Sequence, residues 1–375
     1  RTEATVEREG LEFRVLKGST KTIESLCTDD PDVFSRVESA VAGLSVKGYR
    51  FIAVARDSTG EGIRLVGVAA LYDKPRPDSS ELINELKGLG ISLKMLTGDA
   101  LPIAKEVSSQ LGLGNNIVRA ADLKEGLKEG GGSRILMEGD GFAEIYPEDK
   151  YLIVKGIQAG GHVVGMTGDG INDAPALRQA EVGIAVSNAA DVAKKASSAV
   201  LTTEGLGGIV ELVKIGRTIF QRIATWIINK MIRTFKRVIF IVLAFIFTGQ
   251  YVISAFGMIL LLFLSDYVTL SLSTDNVRHS RKPESWDVTG LVKTGALMGI
   301  LMVAESFVLL YIGLYYYGLY GDIDQLHTFV FDWLTFSGYF TVLAVRERRH
   351  FWNSRPSRFL ILSIVANMIL VSAIS

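Results

Sequence analysis

Long apolar segments in the second half of the chain limit its fold more than any other sequence feature. Five of them lie at about 223–248, 252–272, 291–317, 329–345 and 359–375. Each is close to the roughly 17–25 apolar residues that cross a bilayer as an α-helix. Buried core helices of a soluble protein are the alternative, but the loops between the segments favour a membrane.

Charges in these loops alternate in sign. The loop between the second and third segments carries Arg278, Arg281 and Lys282. The loop between the fourth and fifth segments is also basic, with Arg346, Arg348, Arg349, Arg355 and Arg358. The loop near 318–328 instead carries Asp322 and Asp324. Basic loops stay on the cytoplasmic side of a membrane. We therefore expect a multi-pass protein of the plasma membrane whose soluble part is cytoplasmic.

The soluble part precedes these segments. The chain has 40 basic and 40 acidic residues, and this balance gives no indication of nucleic-acid binding. Its single cysteine, Cys27, excludes an intrachain disulfide. Alternating residues at Leu11–Val15 and an apolar run at Arg50–Ala55 predict strands around a helix that begins near Asp32.

Strands and helices alternate from about residue 62 to 203, which predicts an α/β doubly wound parallel sheet. The predicted strands are Leu65–Leu71, Ser92–Leu96, His162–Met166, Val182–Val186 and Ala199–Leu201, with helices at Ser79–Leu89 and Pro102–Leu111 among the intervening segments. Ligands of such sheets bind beyond the carboxyl ends of the strands. The polar motifs of the chain fall at these ends.

The most specific motif is the run Met166–Ala176, with the sequence MTGDGINDAPA. Asp169 and Asp173 lie four residues apart among glycines that allow close backbone approach. Carboxylate oxygens beside a phosphate suit Mg²⁺. A glycine-rich turn with an aspartate helix cap is the alternative, and the length of the motif argues against it.

Two further motifs suit a phosphoryl group. Thr97-Gly98-Asp99 ends a predicted strand and precedes a helix, where a hydroxyl and backbone amides can bind phosphate oxygens. Lys150 ends the run Phe142–Lys150 and could neutralise a phosphoryl group, although an isolated lysine is usually solvated.

Together these residues resemble the phosphorylation domain of P-type ATPases, within the haloacid dehalogenase superfamily. Asp73-Lys74-Pro75-Arg76 is similar to the Asp-Pro-Pro-Arg hinge motif of that family. The resemblance implies that Thr97 and Gly98 bind the phosphoryl group, that Asp99 lies near the nucleotide and that Lys150 neutralises the phosphoryl group. It also implies that Asp169 ligates Mg²⁺ and that Asn172 and Asp173 complete the site.

The start of the chain resembles the second half of the nucleotide-binding domain of these pumps. The resemblance implies that Lys17 lines the ATP pocket and that Arg50 contacts ATP phosphates, although both could be plain surface cations. Asp73 and Arg76 are grouped with them as predicted nucleotide-site residues. The predicted division is 1–60, part of an α+β nucleotide-binding domain; 61–220, the phosphorylation domain; and 221–375, an all-α bundle of five membrane helices.

The phosphorylated aspartate of the family lies in an Asp-Lys-Thr-Gly-Thr motif, and no such run occurs in this sequence. In the family that motif precedes the nucleotide-binding domain. We therefore interpret the chain as the C-terminal portion of a longer pump, inactive by itself, whose partner is the remaining N-terminal part. A naturally split pump is the alternative interpretation.

The membrane segments resemble those of proton-pumping P-type ATPases, especially prokaryotic members. The resemblance rests on Arg217–Ile223, Ser265–Thr269, Ser273–Val277 and Lys282–Trp286. Asp266, an acid inside an apolar segment, is the predicted proton carrier. Lys236 falls where plant proton pumps have a membrane arginine, so it is the predicted counter-ion, with an ordinary helix-end cation as the alternative. Ser265 and Tyr267 depart from the Asn and Gly of plant and fungal pumps.

The sequence thus predicts an enzyme that couples ATP hydrolysis, with Mg²⁺, to cation export across a lipid bilayer, with protons as the cation. A pump for Mg²⁺ or another metal is an alternative, as is a non-catalytic nucleotide-binding membrane subunit. A membrane-anchored phosphatase of the same superfamily agrees less well, because it needs the missing aspartate and only one anchor.

Overall fold

The computed structural model describes residues 1–8, 10–45, 47–57, 62–347 and 352–375. It contains two compact units, Arg1–Val210 and Glu211–Ser375. The domain boundaries predicted from the sequence, at 60/61 and 220/221, stay predictions. The basic-loop residues Arg348 and Arg349 lie outside the described residues.

The first unit begins with a four-stranded antiparallel sheet. Its strands pair in the order β1 (Thr2–Arg8), β2 (Leu11–Gly18), β3 (Arg50–Asp57) and β4 (Ile63–Leu71). The helices α1 (Thr20–Glu24) and α2 (Pro31–Ser45) connect β2 to β3. Leu16, Ile23 and Ala53 form the buried core of this region. On β3 the buried residues Ala53 and Ala55 alternate along the strand, as expected when one face packs against a core.

The placement of Leu65–Leu71 in the parallel sheet was wrong. These residues belong to β4, which pairs antiparallel with β3 through contacts such as Arg50 with Leu71 and Ala53 with Val68. A short apolar run does not reveal the direction of the strand beside it, so the antiparallel pairing could not be predicted from the run alone.

Two three-stranded parallel sheets follow, in the orders β5–β7–β6 and β10–β9–β8. Their strands are β5 (Met95–Leu96), β6 (Ile117–Arg119), β7 (Gly141–Ala143), β8 (Gly165–Gly168), β9 (Val182–Ala185) and β10 (Ala199–Val200). They are flanked by α3 (Ser79–Gly88), α4 (Leu101–Gln110), α5 (Ala120–Lys128), α6 (Gly132–Glu138), α7 (Pro147–Ala159), α8 (Ala174–Gln179) and α9 (Asp191–Ala196). Parallel strands alternating with helices confirm the predicted α/β fold class. Leu96 packs against the cores of both sheets, around Met166 and around Phe142.

The second unit consists of helices. They are α10 (Gly207–Thr248), which starts just before the unit boundary, α11 (Ala255–Leu270), α12 (Val288–Tyr311), α13 (Ile323–Val345) and α14 (Arg358–Ile374). A 3₁₀ turn, Ser271–Thr274, extends α11, and a π turn, Ile312–Tyr316, extends α12. Apolar side chains of α10 to α14, including Phe240, Leu261 and Leu326, form the main core.

Three stretches in the described residues are long and apolar enough to cross a membrane: Ala255–Thr274, Val288–Tyr316 and Ile323–Val345. They confirm an α-helical membrane part. All five predicted segments are helical, but the first is only the end of the 42-residue α10, and α14 has 17 residues. The five-helix bundle therefore stays a prediction.

Two glycines bring α12 close to α10. A Cβ on Gly295 would lie 2.8 Å from Cβ of Met231, and one on Gly299 would lie 2.7 Å from Cβ of Phe235. Small residues four apart allow helix backbones to approach in a membrane. This Gly-x-x-x-Gly contact brings the backbones of α10 and α12 together beside Lys236.

Candidate active site

The loop after β8 carries the most specific motif, and Asp173 organises it. Its Oδ2 accepts hydrogen bonds from the backbone amides of Asp169, at 3.2 Å, and Gly170, at 3.1 Å. Its Oδ1 accepts from Lys150 Nζ at 2.5 Å. Asp173 is buried, with 6% of its side chain exposed. These contacts fix the loop because two amides and an ammonium group converge on one carboxylate.

Asp169, in the same loop, contrasts with Asp173 in its burial and in the contacts of its carboxylate. It is exposed, and within the described residues its carboxylate forms no hydrogen bond or ion pair. Its carbonyl accepts from the amide of Ala190 at 2.8 Å, which anchors the backbone. Asp169 thus presents a free carboxylate from an anchored position, while the neighbouring Asn172 is also exposed.

Lys150 reaches Asp173 from α7. Pro147 occupies the first helical position, and Asp149 Oδ2 accepts from the amide of Tyr146 at 3.0 Å, so the helix start is well defined. Lys150 follows Asp149 in this helix and keeps 21% of its side chain exposed. Its ammonium group is therefore held beside the loop yet accessible to an anion.

Thr97-Gly98-Asp99 follows β5 and forms the second part of the site. Thr97 Oγ1 donates to Asp99 Oδ2 at 2.9 Å and accepts from the amide of Asp99 at 3.1 Å. Gly98 is exposed, and a Cβ there would lie 3.5 Å from the carbonyl oxygen of Ile145. Because Leu96 packs in the same core as Met166, the loops after β5 and β8 lie at neighbouring strand ends.

A turn at Glu144 supports this second loop and was not singled out in the sequence. Glu144 has a φ of 57°, the left-handed region that a non-glycine residue rarely adopts. Its amide donates to the carbonyl of Asp99 at 2.9 Å, and the amide of Ile145 donates to the carbonyl of Thr97 at 3.2 Å. The only sequence signal was its position between β7 and the helix that carries Lys150.

The predicted nucleotide residues are not all brought together. Arg50 forms an ion pair with Asp99, so it joins the second loop. Lys17 is exposed on β2, and Asp73 is exposed before α3. Arg76 binds Glu204 at 2.8 Å, and this hydrogen bond and the charge of Glu204 raise the pKa of Arg76. Arg76 thus links the connection from β4 to α3 with the connection from β10 to α10.

In the helical unit, Asp266 of α11 pairs with Lys230 of α10 at 2.5 Å, and both side chains are about half exposed, 51% and 43%. The pairing of Asp266 with Lys236 expected from the sequence was wrong. Lys236 is buried and donates to Ser337 Oγ of α13 at 2.7 Å, and its Nζ lies 3.9 Å from Glu305 Oε2 of α12. Lys230 and Lys236 are six residues apart, so they point about 120° apart around the helix.

The donor set around Asp169 fits Mg²⁺. This ion commonly takes one or two carboxylates and completes its coordination with waters and substrate phosphates. Within the described residues no group of three or more His, Cys, Asp or Glu side chains could hold a metal by itself. An exposed single carboxylate in the same loop cluster as Lys150 and the hydroxyl of Thr97 would suit a metal shared with a phosphorylated substrate.

Comparisons with known proteins identify relatives of both units. The haloacid dehalogenase-like hydrolase family matches residues 4–181, and a second family of the same description matches residues 154–213. A protein of Methanocaldococcus jannaschii named "Putative cation-transporting ATPase MJ1226" is 37% identical over 376 residues, which is 99% of this chain and 46% of that relative. The chain therefore spans about half the length of this curated relative. The chain thus combines a haloacid dehalogenase-like domain with an α-helical membrane part, and over nearly its whole length it is similar to this cation-transporting ATPase relative.

Proposed function

We propose that this chain is the C-terminal part of a P-type ATPase that exports protons by forming an aspartyl phosphate. One observation carries the proposal: Asp173 holds Lys150 and the Asp169 loop in one arrangement, beside the loop of Thr97. A phosphoryl group that is being transferred needs positive charge, hydroxyl and amide donors, and a metal. These residues offer the charge, the donors and one carboxylate ligand for the metal at neighbouring strand ends.

Each side chain then has a distinct task in phosphoryl transfer. Thr97 Oγ1 and the amide of Gly98 would orient the phosphoryl oxygens. Lys150 would bind the same group as a point charge, and Asp173 would keep that charge in place. Asp169 would ligate Mg²⁺, which neutralises negative charge on the transferred group when bound.

The nucleophile of this proposal comes from outside the chain. β8 and β5 each form an edge of their parallel sheets. Leu96 of β5 packs against the core cluster that contains Met166 of β8, so the two edges lie near a common core. One further parallel strand between them would join the sheets and would end beside Thr97 and Thr167. A carboxylate at that end would face the groups described above.

The membrane part supports a proton as the cargo. Two acids inside the apolar helices, Asp266 and Glu305, have a lysine of α10 nearby, whereas Asp332 of α13 accepts a hydrogen bond from Ser375 Oγ. A lysine beside a carboxylate supplies the positive charge that a bound metal would otherwise provide. A single proton disturbs such a pair less than a divalent cation does, because less charge is added to the membrane interior.

Reconstitution of the full-length protein tests this proposal. In vesicles supplied with ATP and Mg²⁺, the wild type should form an acid-stable phosphoenzyme and a pH gradient. Asp266→Asn keeps the shape of the side chain but cannot exchange a proton, so it should retain phosphorylation and lose the gradient. Asp324→Asn, the same change at the exposed start of α13, is the matched control and should acidify normally.

Two results would contradict the proposal at different levels. A full-length protein that forms no phosphoenzyme from ATP would remove the pump assignment. Asp266→Asn vesicles that acidify at the wild-type rate would remove the carrier role, and the metal-pump alternative would then be tested by stoichiometric ion binding.

A further inference from the structure

A polar cavity of about 550 Å³ lies at one end of the helical unit. It is lined by Arg222, Asn276, Val277, Arg278, Trp352, Asn353, Ser354 and Arg355. Thr274 ends the extended α11 two residues before Asn276, and α14 begins at Arg358, three residues after Arg355. The cavity therefore lies where the apolar helices α11 and α14 reach the membrane surface, within the two basic loops.

A buried ion pair fixes the walls of this cavity. Arg346 and Asp275 are 1% and 0% exposed, and Arg346 Nε donates to Asp275 Oδ2 at 2.9 Å. Asp275 Oδ1 also accepts from the amide of Ser357 at 2.8 Å, while Arg222 Nε donates to the carbonyl of Asp275 at 2.9 Å. The loops after α11 and α13 are thus tied together and to α10.

The charge of the cavity is left without compensation. Arg222, Arg278 and Arg355 come from three separate segments, and no carboxylate lines the cavity in the part of the chain that the structure describes. The carboxylate of Asp275 is taken by Arg346, and Glu347 accepts from Ser354 at 2.7 Å. Converging guanidinium groups repel one another unless an anion lies between them. Phosphate esters match their planar donors.

We propose that this cavity binds the headgroup of an anionic phospholipid from the bilayer leaflet that faces the basic loops. Basic cavities between membrane helices bind such headgroups, and tryptophan is enriched at the same depth. Trp352 is 67% exposed at the rim. The proposal rests on the membrane placement of α11 and α14 and is independent of phosphoryl transfer.

Native mass spectrometry of the purified full-length protein tests lipid binding directly. Detergent-solubilised protein is titrated with phosphatidylglycerol or phosphatidylcholine in about 0.5 M ammonium acetate, where the Debye length is roughly 4 Å and diffuse attraction is screened. The wild type should bind the first phosphatidylglycerol more tightly than phosphatidylcholine. Arg278→Gln with Arg355→Gln should weaken the first phosphatidylglycerol by about 30-fold and leave phosphatidylcholine unchanged.

The matched control removes two charges from the same loop region outside the cavity lining. Arg281→Gln with Lys282→Gln, both exposed, should stay within about twofold of the wild type because their attraction is screened. Equal losses in the two double variants would overturn the proposal, as would a wild type without preference for phosphatidylglycerol. That wild-type comparison decides the matter even if a variant fails to fold. Displacement of the lipid by about 10 mM inorganic phosphate would identify a soluble phosphate as the ligand and would also overturn it.

Discussion

Asp169 and Asp173 lie four residues apart, and the structure predicts opposite consequences for the same substitution. Asp173→Asn should loosen the loop after β8, because Asp173 holds Lys150 and the amides of Asp169 and Gly170. Asp169→Asn should leave that loop intact, since its carboxylate has no partner among the described residues.

The magnitude follows from what asparagine can replace. Removing one partner of a buried ion pair costs about 3–5 kcal/mol. An asparagine oxygen can still accept from one amide, and Lys150 keeps some access to water, with 21% of its side chain exposed. We therefore expect a cost of about 2–4 kcal/mol for the closed loop, which corresponds to roughly 30- to 1000-fold faster amide exchange.

Hydrogen exchange measured by mass spectrometry on the full-length protein reads this effect from a peptide that covers the loop, residues 167–174. Asp173→Asn should accelerate exchange there by the stated factor. Asp169→Asn should change it by less than about threefold, yet lower the phosphoenzyme level by about 10²-fold or more, as expected when a metal ligand is removed.

Either half of this pattern can fail by itself. If Asp173→Asn exchanges like the wild type, Asp173 does not hold the loop. If Asp169→Asn keeps a near-normal phosphoenzyme level, Asp169 is not the Mg²⁺ ligand, and the site proposed above is wrong.

Three further predictions concern other parts of the chain. The 375-residue chain alone should show no acid-stable ³²P label from ATP, because phosphoryl transfer needs a nucleophile that positioning groups cannot replace; a label would refute this. Arg346→Met should destabilise the helical unit by about 3–5 kcal/mol, because Asp275 is left buried and charged; a thermal midpoint equal to that of Arg358→Met, an exposed control, would contradict it. The amide of Val164 and the side chain of Gln158 donate hydrogen bonds to Glu181 and lower its pKa below the ordinary 4.5. The ionised carboxylate therefore stabilises the folded state fully above pH 4.5, and this stabilisation is lost as the pH falls through the lower pKa of the folded state. Glu181→Gln should flatten this acid-side loss, and an unchanged acid unfolding curve would count against it.

Much of the candidate site was predictable because its chemistry is local. Glycine and aspartate directly after an apolar strand predict a loop at a strand end, and the structure places Thr97–Asp99 after β5 and the glycines and aspartates of Met166–Ala176 at the end of β8 and beyond it. That these loops bind a ligand stays a prediction. Which strands pair with one another was harder to predict from the sequence. β7 has only three residues, Gly141–Ala143, which is too short for any periodicity, although it is the central strand of its sheet.

Side-chain pairing across helices was beyond the sequence for a geometric reason. Sequence numbering places Lys230 and Lys236 on one helix, but which face meets α11 depends on packing. Gly295 and Gly299 draw α12 against the turn at Met231 and Phe235, and this contact places Lys236 towards Glu305 and Ser337. Lys230 then faces Asp266. The position of Lys236 in the sequence cannot contain that information.

The two lysine–carboxylate contacts differ in a way that bears on proton export. Lys236 is buried and bonded to Ser337, so its ammonium group has little freedom to leave. Lys230 and Asp266 are each about half exposed, which leaves Lys230 room to withdraw if Asp266 takes up a proton, as the proposed export requires. A carrier needs a partner that can exchange in this manner, because a counter-ion locked in place would hold the carboxylate charged throughout the cycle. Under the proposed proton export, Lys236 with Glu305 is therefore better suited to a fixed structural charge pair, and Lys230 with Asp266 to proton transfer.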